Sequence, residues 1–350
     1  MLLASSIIGQ QPWDSPANPS EKPKNIILMI GDGMGLSQIS IANFYKDGPS
    51  NFERFPVVGL INTNSTTHRI TDSGAAATAF ASGVKTFHRA VGVANDSTAV
   101  PTIIEQLEAR NYATGIVVTK IIVHATSAAF YAHVPYRYDY DDIAPWLIKA
   151  DIDFIAGGGL QYFNKRSDGL NLLDEFREAD YAIDTLALPT APTNKKQLIL
   201  LNDDDLPWKT NGRGDFLTDA TGLAIERLNR NEDGFFLMVE GSLIDSAAHD
   251  EELEYLIDEQ LDFDHTIGSV LDFAIKDKAT LVIVTSDHET GSFALSMEEG
   301  DYDKIKPTIY SDDHSATMVP VFAFGPGAEN FGGVYDNTRI YHKIMKLLED

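Results

Sequence analysis

Asn25-Ile-Ile-Leu-Met-Ile30, closed by Gly31-Asp32-Gly33 and followed by the helix-like Leu36–Tyr45, reads as a buried parallel strand that turns into a helix. After Asn25 the run is apolar at every position, with no alternation to mark a wet face. Ala113–Val118, Phe235–Val239, Thr280–Thr285 and Val319–Phe324 have the same character. Asp215–Asn229 and Glu251–Lys276 instead place apolar residues at helical spacing, in the second stretch Leu253, Leu256, Ile257, Ile267, Leu271 and Ala274. Strands alternating with helices predict an α/β fold: a doubly wound, mostly parallel central sheet with helices on both faces. Functional residues in such sheets gather beyond the carboxyl ends of the strands.

Those ends carry Asp32 after the first strand, Glu240 after Phe235–Val239, Asp287-His288-Glu289 after Thr280–Thr285, and Thr126 beyond Ala113–Val118. One acidic residue after one strand is ordinarily a turn or cap residue. Four such ends on one sheet edge point to a site. In Glu240-Gly-Ser-Leu-Ile-Asp245-Ser-Ala-Ala-His249 a carboxylate and an imidazole stand four apart, on one helix face. That spacing suits a shared metal, and equally a solvent-facing pair at a helix start. His314 in Ser311-Asp-Asp-His-Ser-Ala-Thr317 adds a further candidate ligand. Thr71-Asp72-Ser73-Gly-Ala-Ala-Ala places a serine at the start of a small-residue helix. Capping accounts for Asp72 and Ser73, and so does a nucleophile set where a helix N-terminus favours an anion; the two roles are compatible.

Composition bounds these readings. The chain has 350 residues, 43% of them hydrophobic, as in an ordinary globular protein. Its 52 acidic and 27 basic residues leave a net charge of −25, which argues against nucleic acid as a partner. Cysteine is absent, so any metal must sit on histidine and carboxylate. Residues 1–22 read as a disordered arm or a signal-peptide remnant, and 23–350 as a single catalytic domain with a surface excursion around 156–206. No stretch approaches the roughly 20 apolar residues that a membrane span needs.

Taken in order, Asn25-Ile-Ile-Leu-Met-Ile-Gly-Asp32-Gly-Met-Gly, Asp72-Ser73-Gly-Ala, His124-Ala-Thr126, Val-Glu240-Gly-Ser-Leu-Ile-Asp245-Ser-Ala-Ala-His249, Thr-Ser-Asp287-His288-Glu-Thr-Gly and His314-Ser-Ala-Thr resemble the motifs of compact bacterial alkaline phosphatases. The resemblance spans nearly the whole chain. It implies a phosphate monoester hydrolase of broad substrate range and alkaline pH optimum, secreted or periplasmic and homodimeric, working through a phosphoserine on Ser73. It further implies two zinc ions, one held by Asp245, His249 and His314, the other by Asp32, Asp287 and His288. It also implies magnesium in a third site of Asp32, Thr126 and Glu240, whose oxygens suit a hard cation. Arg137, in His133-Val-Pro-Tyr-Arg137, aligns with the arginine that grips two phosphate oxygens beside Asp72.

Several positions depart from the family pattern. Ser127 stands where proline commonly follows, Ser292 where glycine does, and Leu243 and Ser246 flank Asp245 where larger polar or aromatic groups are frequent. Ser246 is expected near bound phosphate. His124 replaces an aspartate found in other members and is expected to adjust the third site or to reach phosphate through water. Lys120 has no assigned role. Two alternatives stand beside the phosphatase: a phosphodiesterase or sulfatase-like member of the same superfamily, and an inactive acidic metal-binding protein.

Overall fold

The computed structural model describes residues 22–349, and residues 1–21 of the expected arm or signal-peptide remnant lie outside them. The chain begins with β1 (Asn25–Gly31), α1 (Leu36–Tyr45), β2 (Val57–Asn62), α2 (Ser73–Ser82), α3 (Ile103–Glu108) and β3 (Ala113–Ile121). It continues with α4 (Ala125–Ala128), α5 (Tyr140–Lys149), β4 (Phe154–Gly158), α6 (Gln161–Asn164), α7 (Leu172–Glu178), β5 (Ala182–Asp184) and β6 (Gln197–Leu200). Next come α8 (Phe216–Leu228), β7 (Phe235–Gly241), α9 (Leu243–His249), α10 (Leu253–Asp277) and β8 (Thr280–Thr285). The last part holds β9 (Glu289–Thr290), β10 (Ala294–Glu298), β11 (Asp301–Thr308), β12 (His314–Ser315), β13 (Val319–Phe324), β14 (Gly333–Asp336) and α11 (Thr338–Leu347).

Ten strands form one sheet in the order β14-β2-β13-β8-β1-β7-β3-β4-β6-β5. The expected doubly wound architecture follows from the strand residues themselves. Because side chains alternate across a strand, Ile26, Leu28 and Ile30 of β1 enter one apolar core while Ile27 and Met29 enter the other. Phe236 and Met238 of β7 and Leu281 and Ile283 of β8 join the first core, with Phe235, Leu237, Val239, Val282 and Val284 in the second. Residues of α2, α3, α5, α7 and α11 cover the first side; residues of α1, α8, α9 and α10 cover the second. An apolar run with no polar face is the sequence signature of this double burial. The segment 156–206, expected as a surface excursion, carries two short helices and the two strands that end the sheet on that side.

One strand departs from the parallel pattern. β13 runs antiparallel to both of its neighbours, β2 and β8. Its N-terminal end therefore lies at the sheet edge where the parallel strands finish, with Val321 opposite Thr285 and Val319 opposite Ile61. Residues that precede β13, such as His314, thus meet residues that follow β1, β2, β7 and β8. A two-residue ribbon sharpens the placement, since β12 pairs with β9 and puts His314 opposite Thr290.

Candidate active site and metal centre

Ser73 begins α2, whose N-cap is Asp72; the Asp72 carboxylate accepts from the backbone N–H groups of Gly74 and Ala75. The remainder of α2 is wholly buried and, apart from Phe80, made of small residues, so the helix end is held firmly in the sheet edge. Ser73 Oγ lies 3.2 Å from His288 Nε2 and 3.5 Å from a terminal nitrogen of Arg137. The same Arg137 nitrogen donates to Asp72 Oδ2 at 2.9 Å, and its other one donates to His124 Nε2 at 3.0 Å. Asp72 thus serves both readings of its motif, as a cap and as the anchor of an arginine over the serine. Arg137 strengthens the anion in return: burial works to raise the Asp72 carboxyl, but Arg137, the Arg89 N–H and His88 outweigh it and bring it down.

Three groups of side chains place their ligand atoms within 4.8 Å of one another: Asp245, His249 and His314; Asp32, Asp287 and His288; and Asp32, His124 and Glu240. The first two groups are the expected ones. In the third, His124 joins Asp32 and Glu240, while the Thr126 hydroxyl is buried without a hydrogen-bond partner. Both oxygens of Asp32, both of Glu240 and Oδ2 of Asp287 are likewise buried and unpartnered. A buried carboxylate without a partner costs on the order of several kcal/mol, too much to be retained for packing alone.

The imidazoles show what the carboxylates await. His249 Nδ1 lies 2.5 Å from the carbonyl of Asp312, and His314 Nδ1 lies 2.8 Å from that of Thr71. Each ring must donate from Nδ1, which leaves a lone pair on Nε2. Those Nε2 atoms face each other at 3.1 Å, 3.3 and 3.8 Å from Asp245 Oδ1. His288 is oriented similarly through a hydroxyl. Its Nδ1 donates to Thr290 Oγ1 at 3.1 Å, and the Thr290 hydroxyl in turn donates to Asp245 Oδ1 at 2.7 Å. His288 Nε2 then points its lone pair at Ser73, at Asp287 Oδ2 (3.2 Å) and at Asp32 Oδ1 (3.5 Å). Lone pairs and carboxylate oxygens that face one another with no proton between them fit divalent cations, with the outer hydrogen bonds fixing each ring. His124 differs. Its Nε2 accepts from Arg137, so its proton sits on the buried, unpartnered Nδ1.

Electrostatics agree with that assignment. Burial, then the charges of Asp245 and Asp287, push the Asp32 carboxyl well above its ordinary range. Burial likewise raises Asp287 to about 7 and Glu240 to about 8. Asp245 moves the other way: burial would raise it, yet Lys120 and the imidazoles of His288, His249 and His314 bring it far down. Lys120, the one cation in an otherwise uncharged strand, has its Nζ 3.5 Å from Asp245 Oδ2. It therefore gains a role that sequence reasoning did not supply, although a lysine inside a buried strand was the available signal. Burial, then the neighbouring His314, holds His288 neutral, well below the ordinary imidazole range.

Tight backbone geometry completes the centre. Gly33 has φ +69°, and a Cβ there would stand 2.7 Å from Thr290 Oγ1 and 3.0 Å from Asp245 Oδ1. Glu289, which interrupts the motif between His288 and Thr290, turns to structural work: it accepts from Gln38 at 3.2 Å and from the Phe293 N–H at 2.9 Å. A cleft of about 390 Å³ opens over Ser73, Arg137, Asp245, His249 and His314. Ser246, though next to Asp245, is half-buried and does not line it. His68, His88, Arg89 and Tyr138 do line it, and nothing in their sequence context singled them out.

Comparison with known proteins places this geometry. The alkaline phosphatase family model matches residues 23–309. Alkaline phosphatase 3 of Bacillus subtilis is 32% identical, over 99% of this chain and 94% of the relative. The structure of alkaline phosphatase from the Antarctic bacterium TAB5 superposes with a TM-score of 0.92 at 46% identity, covering 94% of this chain and 98% of that one. A histidine-to-aspartate variant of the TAB5 enzyme, with magnesium bound in its M3 site, matches at a TM-score of 0.92, 47% identity and the same coverage. With the fold, the serine and the three ligand groups in place, the chain belongs to the alkaline phosphatase family, enzymes that hydrolyse phosphate monoesters.

Proposed function

We propose that this enzyme hydrolyses phosphate monoesters of broad structure through a phosphoserine on Ser73, with two zinc ions and one magnesium ion. The observation that carries the reading is the convergence on Ser73 of oriented imidazole lone pairs and unpartnered carboxylates. Asp245, His249 and His314 hold one zinc, and Asp32, Asp287 and His288 the other. Asp32, Glu240 and Thr126 offer oxygen to magnesium, the ion bound in the M3 site of the TAB5 variant. When bound, the metals supply the positive charge that ionises the serine and stabilises the departing oxygen.

This chain's own residues do the positioning. Asp72 fixes Arg137 so that its fork meets two phosphate oxygens, and the α2 N-terminus favours the anion. Ser73 Oγ then displaces the alcohol from phosphorus, and water displaces Ser73 to give inorganic phosphate. An alkaline optimum belongs to the same reading and is supported by burial, which raises the Glu240 carboxyl to about 8 and that of Asp287 to about 7, so that protons compete with metal for these oxygens more as pH falls. A homodimer in the periplasm or outside the cell belongs to the same reading and rests on the family alone.

The test compares an aryl phosphate monoester with the matching diester at alkaline pH, before and after chelation and zinc readdition. Strong, chelator-sensitive monoester turnover is expected. Dominant diester cleavage would favour a phosphodiesterase, and turnover of neither an inactive binding protein. His249→Ala probes the first metal group separately. Loss of one of its three ligands should remove about one zinc per chain by metal analysis. Unchanged zinc content would refute that ligand set.

A further inference from the structure

Beyond the phosphoryl end, one wall of the cleft is basic and aromatic in a chain whose net charge is −25. Arg89 is its centre. The residue adopts φ +70°, a left-handed conformation that costs any side chain other than glycine. Both of its peptide groups are tied to the catalytic residues: its N–H donates to Asp72 Oδ1 at 2.8 Å, and its carbonyl accepts from the Arg137 N–H at 2.9 Å. Backbone strain held in place by active-site contacts is a pointer to function. The Arg89 guanidinium lies 5.6 Å from the centroid of the Tyr138 ring, which is 47% exposed, and Arg137 approaches that ring at 5.4 Å. Among the described residues no carboxylate pairs with Arg89, although most of the arginines there have one. His88 extends the wall, with its ring 4.5 Å from that of His68.

A guanidinium stacked on a tyrosine and free of a carboxylate partner, one backbone hydrogen bond from both Asp72 and Arg137, is built to receive a second anion. We infer that Arg89, Tyr138 and His88 form a leaving-group subsite that selects terminal phosphates, in ester or anhydride linkage, whose leaving group carries a phosphate of its own. The inference rests on the phosphomonoesterase reading and adds a substrate class to it. A monophosphate ester of a neutral alcohol fills only the Ser73 end. A diphosphate or bisphosphate reaches Arg89 as well, which lowers KM for that substrate.

AMP and ADP make a matched pair, since the leaving groups are adenosine and AMP. Metal-loaded wild type, R89G and R89K are compared by kcat/KM for each nucleotide. Glycine suits φ +70°, so R89G keeps the fold while removing the charge. The ADP/AMP ratio should fall about tenfold in R89G, through KM for ADP, and recover in part in R89K. Raising the ionic strength should lower the wild-type ratio and leave that of R89G nearly flat. A ratio within twofold of wild type in R89G, or an equal loss for both nucleotides, overturns the subsite. Calorimetric binding of AMP and ADP keeps the two readings separate. If neither nucleotide is hydrolysed, the phosphatase reading fails, while tighter ADP than AMP binding in wild type but not in R89G upholds the subsite and equal binding rejects it.

Discussion

Ser73→Ala should lower turnover of an aryl phosphate by at least about 10³-fold while leaving the metal content unchanged. The substitution removes a hydroxyl that both His288 Nε2 and Arg137 approach, and leaves every side chain of the three ligand groups in place. Stability should change little. Asp72, not Ser73, caps α2, and alanine is a good helix former at the first position. Residual activity would come from water attacking phosphorus directly in a site that still holds the substrate. Acid quenching during turnover of a labelled ester traps phosphate on the wild-type chain, and peptide mapping should find it on Ser73. Label on another residue, or near-normal turnover in the alanine variant, would remove Ser73 from the nucleophile's place.

Metal removal should abolish activity and also reverse the dependence of stability on pH. In the metal-free protein Asp32, Asp287 and Glu240 titrate above their ordinary values because burial penalises their charges. The folded state then binds more protons than the unfolded chain between about pH 4 and 8, so stability falls as pH rises through that window. Asp245 opposes this trend only at low pH, since its lowered value gives stability that is lost on acidification. Metal ions exchange for those protons and favour the charged carboxylates, which restores stability at high pH. Chelation should therefore lower Tm by on the order of 10 °C at pH 8.5 and by much less near pH 5. Calorimetric scans of metal-loaded and chelated protein at both pH values measure it. An equal drop at the two would show that the buried carboxylates do not carry the effect.

Much of the fold was legible in the chain itself. β1, β3, β7, β8 and β13 each announce themselves by mainly apolar stretches with no alternating polar face, and the double burial that such stretches require is what the two cores provide. Ligand candidates could be read for the same reason. Asp32 follows its strand directly, Asp287 stands two residues past one, Glu240 nearly ends one, and a parallel sheet sends all such ends to one edge. The i, i+4 spacing of Asp245 and His249 also survived as geometry, because α9 covers both.

Other features needed the tertiary structure. Nothing in Val319–Phe324 says that it runs against its neighbours, yet that reversal is what delivers His314 to the ligand edge. The proton positions on His249, His314 and His288 depend on the carbonyls of Asp312 and Thr71 and on Thr290 Oγ1, two of them far off in sequence. Lys120 acquires meaning only from Asp245, and Arg89 only from Asp72, Arg137 and Tyr138. Local pattern thus determined which residue types stand at the strand ends, because hydrophobic periodicity and turn chemistry act between near neighbours. Which atoms face each other across the cleft was decided by packing between distant segments, where a proton's position or a charge's partner turns on a few tenths of an ångström.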